Sequence, residues 1–258
     1  MTDNLVRCAT DGSVARLTLD SPPNRNALSS ELVRQLRDGL GRAADDPAVR
    51  SIVLGHTGGT FCAGADLTEA TAGDPQRAAA GRAHELAGLL RAIVECPLPV
   101  IAAVDGHVRA GGMGLVGACD MAVAGPRSTF ALTEARIGVA PAIISLTLLP
   151  KLAPRAAARY YLTGESFTAR RAVDIGLVTV AADDVGYAVD AMTDELSKAS
   201  PQGLAASKAL TTAAVLAGFD RDAARLAEES ARLFVSEEAR EGMLAFLEKR
   251  PPRWARPL

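Results

Sequence analysis

The sequence predicts an α/β fold closed by a helical carboxyl-terminal third, and three observations predict it. Short apolar strands alternate with helical stretches through about residue 180, two loops of small residues follow strands, and from Pro201 onward helical patterning continues with no strand. With 258 residues and 48% hydrophobic side chains, the chain can bury one large core.

Val14 to Leu19 reads as a strand, the turn-rich Ser21-Pro-Pro-Asn-Arg-Asn26 follows, and a helix runs from about Ser30 to Ala44 with Leu32, Leu36 and Leu40 on one face. A second strand, Ser51 to Gly55, leads to the loop His56-Thr-Gly-Gly-Thr-Phe-Cys-Ala-Gly-Ala-Asp66. A helical stretch from about Asp74 to Val94 then feeds a third strand, Pro99 to Val104. Gly106 to Gly117 is a Gly-rich loop entering a short helix, Met121 to Ala124 is a strand, and Phe130 belongs to another. Helical periodicity covers Ile143 to Leu152, Arg155 to Leu162, Ala169 to Ile175 and Val185 to Ala199, interrupted by a strand at Leu177 to Val180. Beyond Pro201 we expect three helical segments, then a tail with Pro251, Pro252 and Pro257 around Trp254.

Composition narrows the function classes. A net charge of −2 offers no basic field for nucleic acid, and 4% aromatic content removes the stacking platform of single-strand binders. The longest apolar runs fall far below the roughly 18 residues of a membrane span. The amino terminus carries no apolar signal-peptide core, so a cytoplasmic protein is expected. Cys8, Cys62, Cys96 and Cys119 form no CxxC pair and are expected to be reduced. His56, His84 and His107 have no metal-ligand spacing, so no metal is expected. An enzyme or a small-molecule binder remains.

Chemistry points to two segments, Phe61-Cys-Ala-Gly-Ala-Asp-Leu67 and Ala110-Gly-Gly-Met-Gly114. Small side chains leave backbone N–H groups reachable, and a loop entering a helix N-terminus aims unsatisfied donors and positive potential outward. Two such donors at one cleft stabilise a developing enolate or tetrahedral oxygen. Gly112 to Gly117 also spells GxGxxG, with Glu134 placed 20 residues past Gly114. A dinucleotide site, however, needs a strand feeding straight into the glycines and a helix of about three turns after them. Here His107 to Ala110 intervene, and only Ala118 to Asp120 separate Gly117 from the next strand.

Taken in order, several blocks resemble the crotonase (enoyl-CoA hydratase/isomerase) superfamily over essentially the whole chain. They are Asn24-Arg-Asn-Ala-Leu-Ser29, Ser51 to Gly55 with Phe61 to Leu67, Pro99-Val-Ile-Ala-Ala-Val-Asp-Gly106, Ala110-Gly-Gly with Ala118-Cys-Asp120, and Phe130 with Glu134 and Ile137-Gly138. Leu162-Thr-Gly-Glu165, Gly176-Leu-Val178 and the closing Gly242 to Arg250 complete the set. The resemblance implies a spiral of ββα turns over residues 1–200 and a helical trimerisation region over 201–258, in a homotrimer or hexamer. It puts oxyanion-holding N–H groups on Ala65 and Gly111 and lays the acyl-CoA path along Ala65, Asp66, Leu67 and Thr68. Arg25, Ala27 and Ala63 border the CoA nucleotide. Phe246 and Lys249 match positions that approach the CoA adenine and 3′-phosphate of a neighbouring subunit. Coenzyme A enters as part of the thioester substrate, and no separate cofactor is implied.

Hydratases of this family carry two glutamates, one on the Gly-rich helix and one 20 residues later. Glu134 matches the second, and Gly114 stands at the first. With Glu134 as acid/base, three activities stay open: hydration of a 2-enoyl-CoA, a Δ3,Δ2-enoyl-CoA isomerisation using one base, and acyl-CoA binding without turnover. Thr133 to Ser145 and Gly111 to Val116 resemble hydratases acting on methylglutaconyl-type branched enoyl-CoAs, which favours hydration. Arg109 either meets the carboxylate of a diacid substrate or is structural, the default. Asp66 and Glu69 fall near an expected helix start, where carboxylates serve as caps as readily as in catalysis. Cys62 reads as a packing residue, since nothing nearby argues for a thiolate.

Overall fold

A computed structural model describes residues 4–67, 69 and 74–255. The chain opens with a hairpin of β1 (Val6–Asp11) and β2 (Val14–Leu19) turned at Gly12, which adopts φ +55°. β1 escapes the sequence reading because only Val6 of its six residues is buried, leaving no alternation to detect. α1 (Ser30–Asp45) is capped by Ser29, whose hydroxyl accepts from the Leu32 N–H at 3.2 Å. Its Leu32, Leu36 and Leu40 point into the core as expected.

Next come β3 (Ser51–His56), β4 (Thr60–Cys62) and α2 (Pro75–Glu95), then β5 (Val100–Val104), β6 (His107–Arg109) and α3 (Gly111–Ala118). A third unit follows: β7 (Met121–Ala124), β8 (Thr129–Ala131) and a 3₁₀ turn at Glu134–Ile137. Each unit puts its first strand in a six-stranded sheet ordered β1-β2-β3-β5-β7-β10 and its second in a four-stranded sheet ordered β4-β6-β8-β9. This is the expected spiral of ββα turns. Apart from the antiparallel pairs β1–β2 and β8–β9, both sheets are parallel. The short strands β4 and β6 lie within segments read from sequence as loops. At three residues each, flanked by glycines, they are too short to show a period.

The remaining elements are α4 (Ser145–Leu148), α5 (Pro154–Thr163), β9 (Phe167–Thr168), α6 (Ala169–Asp174), β10 (Val180–Ala181), α7 (Val185–Ser197), α8 (Pro201–Phe234) and α9 (Glu237–Leu247). Two expectations change. The helix foreseen over Ile143 to Leu152 shrinks to four residues: Pro150 has no N–H to continue the ladder, although Leu149 before it keeps helical backbone at φ −60°, ψ −35°. Past Pro201 there are two helices among the described residues, not three segments. α8 continues for 34 residues, with Gly218 the one glycine beyond its first turn and no proline past Pro201. No helix among the described residues is long and apolar enough to cross a membrane.

α8 lies along α2, and its Phe219 and Ala227 join the same hydrophobic cluster as Leu54, Leu90, Phe61 and Phe130. Its Lys208 is buried at 6% exposure. The ammonium donates to the carbonyls of Ile93 and Leu98 at 3.0 Å each and pairs with Asp120 at 2.7 Å. The Asp120 carboxylate also accepts from the Val100 N–H at 2.7 Å, so one buried ion pair ties α8 to α2 and to the start of β5 inside the large sheet.

Candidate active site

Three parallel neighbours in the small sheet, β4, β6 and β8, end side by side. The segments leaving their carboxyl ends carry Ala63 to Leu67, Ala110 to Gly114 and Glu134. Ligands of parallel sheets gather at such ends, because there the chain leaves the ladder and exposes unpaired groups. The register is direct: Arg109 lies opposite Ala131, and the Ala110 N–H donates to the Ala131 carbonyl at 3.3 Å. Gly111 and Glu134 therefore sit one and three residues beyond a shared hydrogen-bonded rung.

The first loop touches the second. A Cβ placed on Gly64 would fall 2.8 Å from the Ala110 Cβ and 3.4 Å from the Gly111 nitrogen, so only glycine permits this approach. Gly64 also sits at φ +93°, a conformation costly for any other residue. Leu28 fixes the orientation of the next residue. It forms a parallel bridge with Ala65 by donating to the Gly64 carbonyl at 2.8 Å and accepting from the Asp66 N–H at 3.3 Å. Bonding to both flanking residues turns the Ala65 N–H to the opposite side.

In the second loop, Gly111 is the first residue of α3, and its N–H belongs to the set a helix leaves without an internal partner. Ala110 precedes it at φ 46°, ψ −119°, a strained conformation for a residue with a Cβ. All eight residues of α3 are buried, which holds that strain in place. The two expected oxyanion donors are thus presented by loops in van der Waals contact.

Glu134 is 8% exposed and opens the 3₁₀ turn. Burial pushes its carboxyl up from 4.5 to about 7, opposed only by its own backbone N–H. Its Oε2 is buried and has no hydrogen-bond partner among the described residues. A buried carboxyl oxygen left without a partner is the mark of a group held ready for a ligand or a proton. No companion carboxylate occupies position 114. There a Cβ would fall 2.5 Å from Cγ2 of Ile144, so the space of a second acid is filled by an isoleucine that the sequence reading did not single out.

The residues expected around CoA divide into three groups. Arg25, Ala27 and Ala63 are brought together with the first loop: the Ala63 N–H donates to the Arg25 carbonyl at 3.1 Å, Arg25 is exposed at φ 52°, and Ala27 is buried. Asp66 joins them by accepting from Asn24 Nδ2 at 2.7 Å, and Leu67 follows, half-buried. Thr68 lies outside the described residues. Phe246 and Lys249 are exposed at the end of α9, and no hydrogen bond or ion pair links their side chains to the first loop among the described residues. The capping expectation is corrected. α2 begins at Pro75 with Asp74 as its cap, whereas Glu69 accepts from the Ser30 N–H at 3.2 Å and serves the first turn of α1.

Other residues gain defined places. Cys62 is wholly buried, its thiol pushed up to about 12 by desolvation, and its Sγ accepts from the Gly64 N–H at 3.4 Å, so it shapes the loop as an inert side chain. Asn26, also missed in the sequence, is 1% exposed and donates to the carbonyls of Thr57 and Thr60 at 3.1 and 2.8 Å, clamping the entry to β4. Arg109 bonds the Thr129 carbonyl at 2.7 Å and the Thr129 hydroxyl at 2.8 Å, the structural alternative foreseen for it. Among the described residues no cluster of three His, Cys, Asp or Glu could hold a metal ion.

Comparison with known proteins agrees with this arrangement. The family model described as enoyl-CoA hydratase/isomerase matches residues 9–257. A Bacillus subtilis protein named probable enoyl-CoA hydratase is 32% identical over 255 residues, covering 97% of this chain and 98% of its own. A carnitinyl-CoA dehydratase from Proteus mirabilis is 33% identical over 253 residues, covering 95% and 96%. The crystal structure of an enoyl-CoA hydratase from Mycobacterium avium superposes with a TM-score of 0.93 at 70% identity, covering 98% of this chain and all of that one. Sequence match over nearly the full length and a common spiral lead to one assignment: the chain belongs to the enoyl-CoA hydratase/isomerase family of the crotonase superfamily.

Proposed function

We propose that this enzyme hydrates the 2,3 double bond of an enoyl-CoA thioester, with the Ala65 and Gly111 N–H groups on the thioester oxygen and Glu134 as the sole acid/base. The observation that carries this reading is the buried, unpartnered Oε2 of Glu134, three residues past the strand rung that leads into Gly111, with the Gly64 and Ala110 loops in contact. Ionised Glu134 removes a proton from water as the water oxygen bonds to C3. Charge then moves onto the thioester oxygen, where fixed N–H dipoles stabilise it. The carboxyl returns the same proton to C2, so one water is added and Glu134 is regenerated.

A carboxyl near neutrality suits both halves of this cycle, because it accepts and releases a proton at little cost. Arg25, Ala27, Ala63, Asp66, Leu67 and Thr68 border the CoA, which arrives with the substrate, and no other cofactor takes part. Phe246 and Lys249 serve the CoA of a neighbouring subunit in a homotrimer or hexamer; their exposure leaves them available for that role. Branched, methylglutaconyl-type acyl groups are the favoured substrates, in the cytoplasm.

Incubation with crotonyl-CoA and 3-methylglutaconyl-CoA tests the reading through loss of the conjugated enoyl absorbance. Glu134→Gln is expected to lower the rate about 10²-fold or more. Equal rates for wild type and variant on both substrates overturn the assignment. One observation favours a second reading: Ile144 fills the place of a second acid with an apolar side chain, as a Δ3,Δ2 isomerisation with a single base would allow. Turnover of a 3-enoyl-CoA without incorporation from heavy-oxygen water would establish it.

A further inference from the structure

A second orphaned oxygen lies on α5, the helix packed against the turn that carries Glu134. Tyr161 Oη, like Glu134 Oε2, is buried without a hydrogen-bond partner among the described residues. The two side chains come from elements docked on one another. Arg136, two residues after Glu134, donates from Nε to the carbonyl of Thr163, two residues after Tyr161, at 2.9 Å. The same guanidinium stem lies against Gly164, where a Cβ would meet Nε at 2.8 Å. Arg136 therefore locks the end of α5 onto the 3₁₀ turn that carries the carboxylate.

The neighbouring tyrosine shows what a satisfied residue looks like here. Tyr160 points elsewhere, packs on Phe167 with ring centroids 4.2 Å apart, and accepts from Arg171 Nε at 3.2 Å. Tyr161 has the burial without the compensation. Its phenol is raised above the ordinary range by burial and then by the charge of Glu134, so at neutral pH it is a hydrogen-bond donor and not a base. Phenylalanine would fill the ring's space with no stranded hydroxyl, and retained uncompensated groups of this kind gather at sites where a ligand completes them.

We propose that the Tyr161 hydroxyl contacts the reacting oxygen, the attacking water in hydration and the 3-hydroxyl in the product, doing the orienting work that position 114 cannot. This role rests on the hydratase reading above. Tyr161 donates to one lone pair of the water, Glu134 accepts one of its protons, and the other lone pair faces C3. No bond to Tyr161 forms and no proton leaves it; the bonding changes are those given for the hydration.

The test uses the whole protein and two reactions. One is hydration of crotonyl-CoA. The other is exchange of the C2 protons of butyryl-CoA in heavy water, which needs the oxyanion donors and Glu134 but no oriented water. For Tyr161→Phe we expect hydration kcat to fall about tenfold or more, with KM and the exchange rate within about threefold of wild type and Tm unchanged or higher. Unchanged hydration overturns the proposal. So does an equal fall in hydration and exchange, or a large fall in Tm, since either would make Tyr161 a packing residue. 3-Fluorotyrosine at position 161 keeps the hydroxyl and should retain hydration within about threefold; loss there too would assign the effect to ring packing and overturn the proposal. Wild type that exchanges C2 protons but does not hydrate sinks the hydratase reading and this role with it. Intact hydration in Tyr161→Phe sinks this role alone.

Discussion

At the scale of single residues, Glu134 couples activity to stability with opposite signs. Its carboxyl is raised from 4.5 to about 7 by burial, so across that window the native state holds a proton that the unfolded chain releases. Stability is therefore fully present below the lower value, falls as pH rises through the window, and levels off above it; the loss is about 3 kcal/mol. On the proposed mechanism hydration needs the ionised base, so its rate should rise over the same range with a midpoint near 7. Glu134→Gln should abolish both effects: urea unfolding at about pH 5 and about pH 8 should give nearly equal stability at this site. Gly114 supplies a second residue-scale prediction. A Cβ there meets Ile144 at 2.5 Å, so Gly114→Ala should cost about 1–3 kcal/mol, read by thermal denaturation. Gly114→Glu should fold less stably still and gain no hydratase activity unless Ile144 is cut back to Ala.

At the scale of elements, the proposed oxyanion donors depend on two loops keeping contact. Gly64→Ala puts a methyl 2.8 Å from Ala110 and forces a residue with a Cβ to φ +93°. Separation of the Ala65 and Gly111 N–H groups should lower kcat/KM about 10²- to 10³-fold, the worth of one such donor, while C2-proton exchange falls in parallel. Parallel loss in both reactions distinguishes a damaged oxyanion site from a damaged water site. The two loops were legible in the sequence as runs of small residues after strands. The bridge from Leu28 that orients Ala65 was not, since it joins residues 37 apart in the chain through backbone atoms alone. Ile144 and Tyr161 were unreadable for a related reason. Each sits in a helical or looped segment whose packing partner is set by how α4 and α5 dock, and neither leaves a local pattern.

For the molecule as a whole, the buried Lys208–Asp120 pair fastens α8 to the spiral. Lys208→Met leaves Asp120 charged and without its cation in a site where Lys208 is only 6% exposed. A loss of about 3–5 kcal/mol is expected in denaturant unfolding. Lys208→Met with Asp120→Asn should recover part of it, because the stranded charge is removed.

The alternation of the longer strands and helices and the two loops of small residues after strands are written in period and glycine placement, and the family resemblance pointed to Glu134. Only the tertiary structure decided how that acid is tuned and what surrounds it. Burial raises Glu134, an isoleucine takes the space a side chain at 114 would need, and the helix packed on its turn carries a buried, unpaired tyrosine hydroxyl. Desolvation and steric exclusion arise from groups distant in the chain, and no stretch of sequence carries them alone.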